Sequence, residues 1–248
     1  MSDFNRGYAR SVPTDRADMS VDAGLRAFML GVYNKMALGL LLSAGLAWLT
    51  GSFAPVRDMM FTVAQGRVGY TGIGMLVAFA PLAVILFSAF AIRNQSPRAA
   101  NITYWAVVSL IGASFGVLVL RYTGASIAST FLITAAAFGG LSLVGYTTKR
   151  DLTGLGSFLI MGVWGLVIAM LVSMFWHPAG FSLIISALGV LIFAGLTAYD
   201  TQRLKLTYYH LGGDQTAMSV ATSYGALSLY LDFINLFQFL LQFLGSRR

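Results

Sequence analysis

Long apolar runs, separated by short polar breaks, repeat along almost the whole chain. They fall at about 28–51, 70–92, 102–120, 125–146, 155–176, 181–200 and 220–244, and each meets the roughly 17–25 residues that a helix needs to cross a bilayer. Only helices or closed barrels satisfy their backbone groups in lipid, and runs of this length predict helices. The expectation is therefore an all-α polytopic membrane protein, a seven-transmembrane-helix bundle over residues 28–248, with antiparallel neighbours imposed by the short loops. The longest connections are expected at about 52–69 and 201–219. Residues 1–27 are polar, with Arg6, Arg10, Arg16 and Arg26 balanced by Asp3, Asp15, Asp18 and Asp22, and read as a mobile tail. The apolar run behind them is too long for a signal-peptide core, so it is expected to remain as the first span.

Composition sharpens this picture. Of 248 residues, 57% are hydrophobic and 10% charged, against roughly 25% charged in a soluble domain. The absence of cysteine excludes disulfides and thiolate metal sites. The net charge of +7 forms no stripe, so nucleic acid is not an expected partner and the lipid bilayer is. Placing the N-terminus in the cytoplasm puts eleven basic residues inside and five outside, which favours N-terminus in. With seven spans the C-terminus lies outside; Arg247 and Arg248 run against this, and a last segment dipping back is the competing topology. Trp48, Trp105 and Trp176 sit near span ends, where aromatic belts form. Gly112 and Gly116 form a small-xxx-small pair, read as close helix packing.

The chemistry concentrates on two acids. The chain has no glutamate, and of its nine aspartates only Asp200 and Asp232 fall in or against an apolar span. A carboxylate in hydrocarbon is costly and by default marks an ion or proton site. Helical spacing extends both acids into stripes. Ser228, Asp232, Asn235, Gln238 and Gln242 lie along one side of the last span, and Ser182, Ser186, Gly189, Phe193, Thr197 and Asp200 along one side of the sixth. Ser186, Thr197, Ser228, Asn235 and Gln238 are thus candidates to line a pathway. If the acids come within a few ångströms they cannot both ionise freely, and they titrate as a unit. A pair sharing one proton can hydrogen-bond and seal the interior, whereas a doubly ionised pair repels and attracts a cation. The plainer alternative leaves both at the water interface, serving helix packing. Arg93, with Lys35 and Arg203 as rivals, is the candidate cation to latch the pair.

Other chemistries fit less well. Leu143 to Tyr146 and Val68 to Tyr70 echo a potassium filter but lie at span ends rather than in a re-entrant loop. His177 and His210 read as loop residues at different ends of the bundle. An intramembrane aspartyl protease also uses two aspartates, but the Gly-Leu-Gly-Asp context is missing around Asp232, so no enzyme is expected.

Three segments carry a family resemblance: Tyr199-Asp200-Thr201-Gln202, the block from Leu229 to Phe237 reading LYLDFINLF, and Lys149-Arg150-Asp151-Leu152. With them the chain resembles the Bax inhibitor family, also called the transmembrane Bax-inhibitor-motif family, in its bacterial members. The resemblance implies a seven-helix fold with the last helix near the centre, acting as a pH-sensitive calcium leak in the bacterial inner membrane. It implies that Asp200 and Asp232 form the pH-sensing pair and a weak calcium site, with Arg93 at the matching latch position. Calcium and protons would be permeating or regulatory ions, with no tightly bound cofactor. One bacterial branch is linked to a membrane-bound AAA protease, which makes a non-transporting regulator the second reading; a proton-coupled cation exchanger is the third. Calcium prefers six to eight oxygen ligands, so two acids among hydroxyl, amide and carbonyl oxygens predict weak, transient binding.

Overall fold

A computed structural model of the chain describes residues 23–64, 67–90, 96–173, 175 and 180–248. The expected tail lies outside the described residues as far as residue 22, and Ala23 already belongs to the first helix. That helix, α1 (Ala23–Ser52), is followed at Pro55 by a short α2 (Ala54–Met60), as suits a residue that starts helices but cannot continue them. A two-stranded hairpin follows, β1 (Phe61–Ala64) and β2 (Arg67–Tyr70), antiparallel with Phe61 opposite Tyr70 and Val63 opposite Val68. The segment expected to be a plain connection is therefore a structured cap.

The remaining elements are α3 (Gly72–Phe90), α4 (Pro97–Ser114), α5 (Gly116–Arg121), α6 (Gly124–Thr147), α7 (Thr153–Ser173), α8 (Phe181–Leu211) and α9 (Gln215–Leu244). Their starts follow capping chemistry. Ser96 accepts from Ala99 N–H at 3.2 Å with Pro97 behind it, Thr123 accepts from Ser126 N–H, and Asp214 accepts from Thr216 and Ala217 N–H at 2.8 and 3.1 Å. Among the described residues six helical stretches are long and apolar enough to cross a membrane: α1, the α4–α5 pair, α6, α7, α8 and α9. The shorter α3 is apolar and carries Pro81 in its interior.

The connection expected over 201–219 is almost entirely helix. α8 runs eleven residues past Asp200, and Gly212 and Gly213, both at positive φ, make the turn into α9. Glycine adopts that left-handed conformation at no steric cost.

α9 is the axis of the bundle. It packs against α8, α1, α4 and α6, and its apolar window is the most buried of all the candidate spans. Leu229, Tyr230 and Leu241 have no exposed surface. The Tyr230 hydroxyl meets Ser43 Oγ at 2.7 Å, and Ser43 donates to Val108 O at 3.0 Å, so one small polar node ties α1, α4 and α9. Gly112 lies against the backbone of Ser43 and Gly116 against Thr50 and Gly51, so the small pair does bring two helices together, and the α4–α5 helix breaks between the two glycines.

The C-terminal residues close the far end. Thr123 N–H donates to Ser246 O, Arg248 N–H to Arg121 O, and Ser246 N–H to Ser126 Oγ, with Tyr122 and Arg247 bridged. Arg121 in turn donates to Val68 O on the hairpin. Phe28, near the start of α1, packs instead on Tyr208 near the end of α8. The two ends of the described chain therefore lie at opposite ends of the bundle, and α9 does not dip back.

Candidate functional site

The two acids meet in the seam between α8 and α9. Because α8 continues as helix through Asp200, that side chain points from a rigid element into the bundle, 6% exposed; Asp232, from the middle of α9, is 5% exposed. Both acids are thus buried inside the bundle rather than exposed on its surface. Ser228, one turn before Asp232, donates its hydroxyl to Asp200 Oδ2. Arg203, one turn after Asp200, places Nη2 3.4 Å from Asp200 Oδ1 and 3.2 Å from Ser228 Oγ. Its side chain is about half exposed and lies over the Tyr199 ring at 5.7 Å, so it covers the site from the solvent side.

Asp232 lies across the α8–α9 seam near Asp200. Its Oδ2 is buried and has no hydrogen-bond partner among the described residues. Ionised carboxylates only accept hydrogen bonds. A hydrogen bond between these two acids would therefore need a proton on one of them.

The other candidate residues separate into local and remote. Thr197, with no exposed surface, donates to Phe193 O at 2.8 Å, and Asn235 donates to Leu231 O at 2.8 Å, so both spend their hydrogen bonds on their own helices. Gln238 is half-buried farther along α9. Ser186 lies toward the other end of the seam, where its hydroxyl donates to Ser182 O at 2.8 Å and lies 3.2 Å from Gln242 Oε1. Between this contact and the acids, Phe193 and Phe239 stack with centroids 5.8 Å apart, packed with Leu196 and Leu236. A Cβ on Gly189 would strike the Phe239 ring. The polar stripes are thus interrupted by an apolar plug.

Arg93, the expected latch, lies outside the described residues, as do Trp176 and His177. Among the described residues the cation that meets Asp200 is Arg203. Lys35 is engaged elsewhere, donating to Asn101 at 2.6 Å and Ser223 at 2.7 Å. His210 is exposed and holds Leu206 O through Nδ1 at 2.7 Å. Among the described residues no three His, Cys, Asp or Glu side chains cluster as a metal site. Among the described residues the two carboxylates and the Ser228 hydroxyl are side-chain oxygens gathered at this point of the seam.

A second function of the Tyr199–Gln202 segment was not legible in the sequence. Gln202 donates Nε2 to Arg150 O at 2.7 Å and accepts from Leu152 N–H at 2.8 Å, clamping the turn between α6 and α7. Lys205 donates to Tyr146 O at 3.0 Å. In the same turn Asp151 accepts from the hydroxyl and N–H of Thr153, and these hydrogen bonds hold its carboxyl below the usual carboxylate range. The conjunction of a four-residue motif on α8 with another fifty residues earlier is thus a physical contact.

Comparison with known proteins agrees with this arrangement. The chain is 64% identical over 249 residues to a protein of Caulobacter vibrioides, with both chains fully covered. It is 42% identical to the Rickettsia prowazekii protein RP147, covering 97% of this chain and 98% of that one. It is 40% identical to the Escherichia coli inner membrane protein YbhL, covering 91% and 94%. The family described as inhibitor of apoptosis-promoting Bax1 matches residues 25–248. A mainly helical, multi-pass membrane protein with a buried acid pair between its last two helices, this chain belongs to the Bax inhibitor family.

Proposed function

We propose that the protein is a passive, pH-gated cation pathway in which Asp200 and Asp232 form a coupled proton and cation site, with calcium as the permeating ion. The observation that carries this reading is the orphaned Asp232 Oδ2 facing a second buried carboxyl group. With one proton between them the acids hold α8 against α9. Without it, two charges face each other in a poorly solvated seam, and either the helices part or a cation enters. Two carboxylates and a hydroxyl make a weak calcium site, which suits a leak that must release its ion as readily as it takes it up. The work is conduction, not catalysis. Counting α3, whose nineteen residues reach about 28 Å at ~1.5 Å per residue, the chain crosses seven times, and opposite ends for the two termini suit an odd number. We take the site of action to be a bacterial inner membrane, as the name of YbhL states for that protein, with the N-terminus in the cytoplasm.

The test is calcium entry into liposomes holding the purified full chain, between about pH 6 and 8. Flux that varies with pH in the wild type and loses that dependence in Asp200→Asn and Asp232→Asn supports the gate. Flux no greater than in empty liposomes at every pH, with the protein folded, overturns it and turns the search to a protein partner such as a membrane protease.

A further inference from the structure

α1 and α6 do not form one of the packed helix pairs of the bundle. Between them, over Phe233 of α9, lies a cleft of about 510 Å³ that reaches along α1 from Arg26 to Leu40. Its walls are almost entirely apolar, with the small residues Ala37 and Gly139 among them. Leu30 and Leu143 at its rims are exposed on the side of the bundle, at 51% and 62%, so it opens sideways, where a membrane-spanning bundle meets lipid. Charge sits at one end only. Arg26, exposed, lines the cleft at the start of α1, with Tyr33 and Tyr146 nearby.

The dimensions choose the occupant. Fourteen residues of helix span about 21 Å at ~1.5 Å per residue, and one leaflet with its headgroups measures roughly 20–22 Å, half of the full bilayer. An apolar slot one leaflet deep, with a guanidinium at its charged end, has the shape and charge of a phospholipid. A smaller cleft of about 260 Å³ continues beyond Leu40 toward Trp48 and has no charged side chain in its lining, so it offers no second anchor for a headgroup.

We infer that the α1–α6 cleft is a binding site for one anionic phospholipid, its acyl chain laid over Phe233 and its phosphate held by Arg26. Phe233 follows Asp232 directly on α9, and it packs edge-on against Phe138 at 5.5 Å. The lipid therefore lies one residue from the acid pair while staying outside the seam.

The test uses the full chain in nanodiscs of equal phosphatidylglycerol and phosphatidylcholine, transferred to native mass spectrometry. One retained phospholipid is expected, with phosphatidylglycerol enriched about five-fold by the one arginine. Arg26→Gln, at an exposed position, keeps the lipid and brings the enrichment to parity. Gly139→Phe, where an added Cβ meets nothing within 4 Å, fills the slot and releases the lipid from a folded chain. The inference is overturned if wild type emerges bare, if Gly139→Phe retains lipid as wild type does, if inorganic phosphate displaces the lipid, or if a second copy of the chain is found covering a lipid-free cleft.

Discussion

Replacing Asp232 by asparagine separates the charge of the pair from its hydrogen bond. In the proposed gate, loss of the shared proton leaves two carboxylates facing each other; unit charges about 4 Å apart repel by about 4 kcal/mol at an effective dielectric of ~20. That is a bias of roughly a thousand-fold in a two-state equilibrium, enough to govern whether α8 and α9 stay closed. The introduced amide cannot ionise, so the repulsion never arises. Its N–H can donate to Asp200, restoring about 1.5–3 kcal/mol for a hydrogen bond to a charged group, and Ser228 and Arg203 keep their contacts with Asp200. Calcium flux into dye-loaded liposomes should then be flat from about pH 6 to 8, at the level wild type reaches at the acidic end. Asp232→Ala removes the charge without supplying a donor, and should also be flat but at a different level. Asp232→Asn flux that tracks pH as wild type does would refute the pair as the sensor. Equal flux in the Asp232→Asn and Asp232→Ala variants would refute the hydrogen-bonded seal.

Gln202→Ala leaves Arg150 O and Leu152 N–H without their clamp, and should cost about 1–3 kcal/mol, read as a lower unfolding midpoint in detergent with little change in the pH profile of flux. Gly145→Val should abolish the folded, monodisperse protein, because its Cβ would enter the Ala198 backbone; Gly139→Val in the same helix should leave size-exclusion behaviour unchanged. Asp151 should titrate below its ordinary value of 3.8 in a carboxyl-carbon NMR titration. Since its folded-state value is lowered, its stabilising contribution is complete at neutral pH and is lost only as pH falls through that lowered value. Asp151→Asn should remove this acid-limb contribution, and an Asp151 midpoint at or above 3.8 would refute the Thr153 cap.

How much of this was legible in the sequence depended on whether the signal was local. Asp200, Asp232 and Ser228 stood out because a carboxylate in an apolar run is costly and a four-residue spacing is one helical turn. The end of α8 did not, because Gln202, Arg203 and Lys205 lower the hydropathy while the helix continues; the true stop was written in Gly212-Gly213 and the Asp214 cap. The β1–β2 hairpin escaped because four-residue strands carry too few alternations to stand out. The partner of Asp200 was the hardest to read. Arg203 was one of several cations within reach by sequence; among the described residues it is the one that meets Asp200, from one turn along α8 with Ser228 of α9 opposite. The Phe193–Phe239 plug was hidden for the same reason, since two phenylalanines on separate helices have no pattern that announces their stacking.

The C-terminal residues, tied by backbone hydrogen bonds to the junction of α5 and α6, also set the mechanics of the central helix. A rod fastened at one end cannot slide along its axis like a piston. The movement left to α9 is a swing about its anchored end, and the lever arm from Leu244 to Asp232 is about 18 Å at ~1.5 Å per residue. A tilt of about 10° would carry the acid sideways by ~3 Å on that arm, enough to break its contact with Asp200, while the tail stayed fastened.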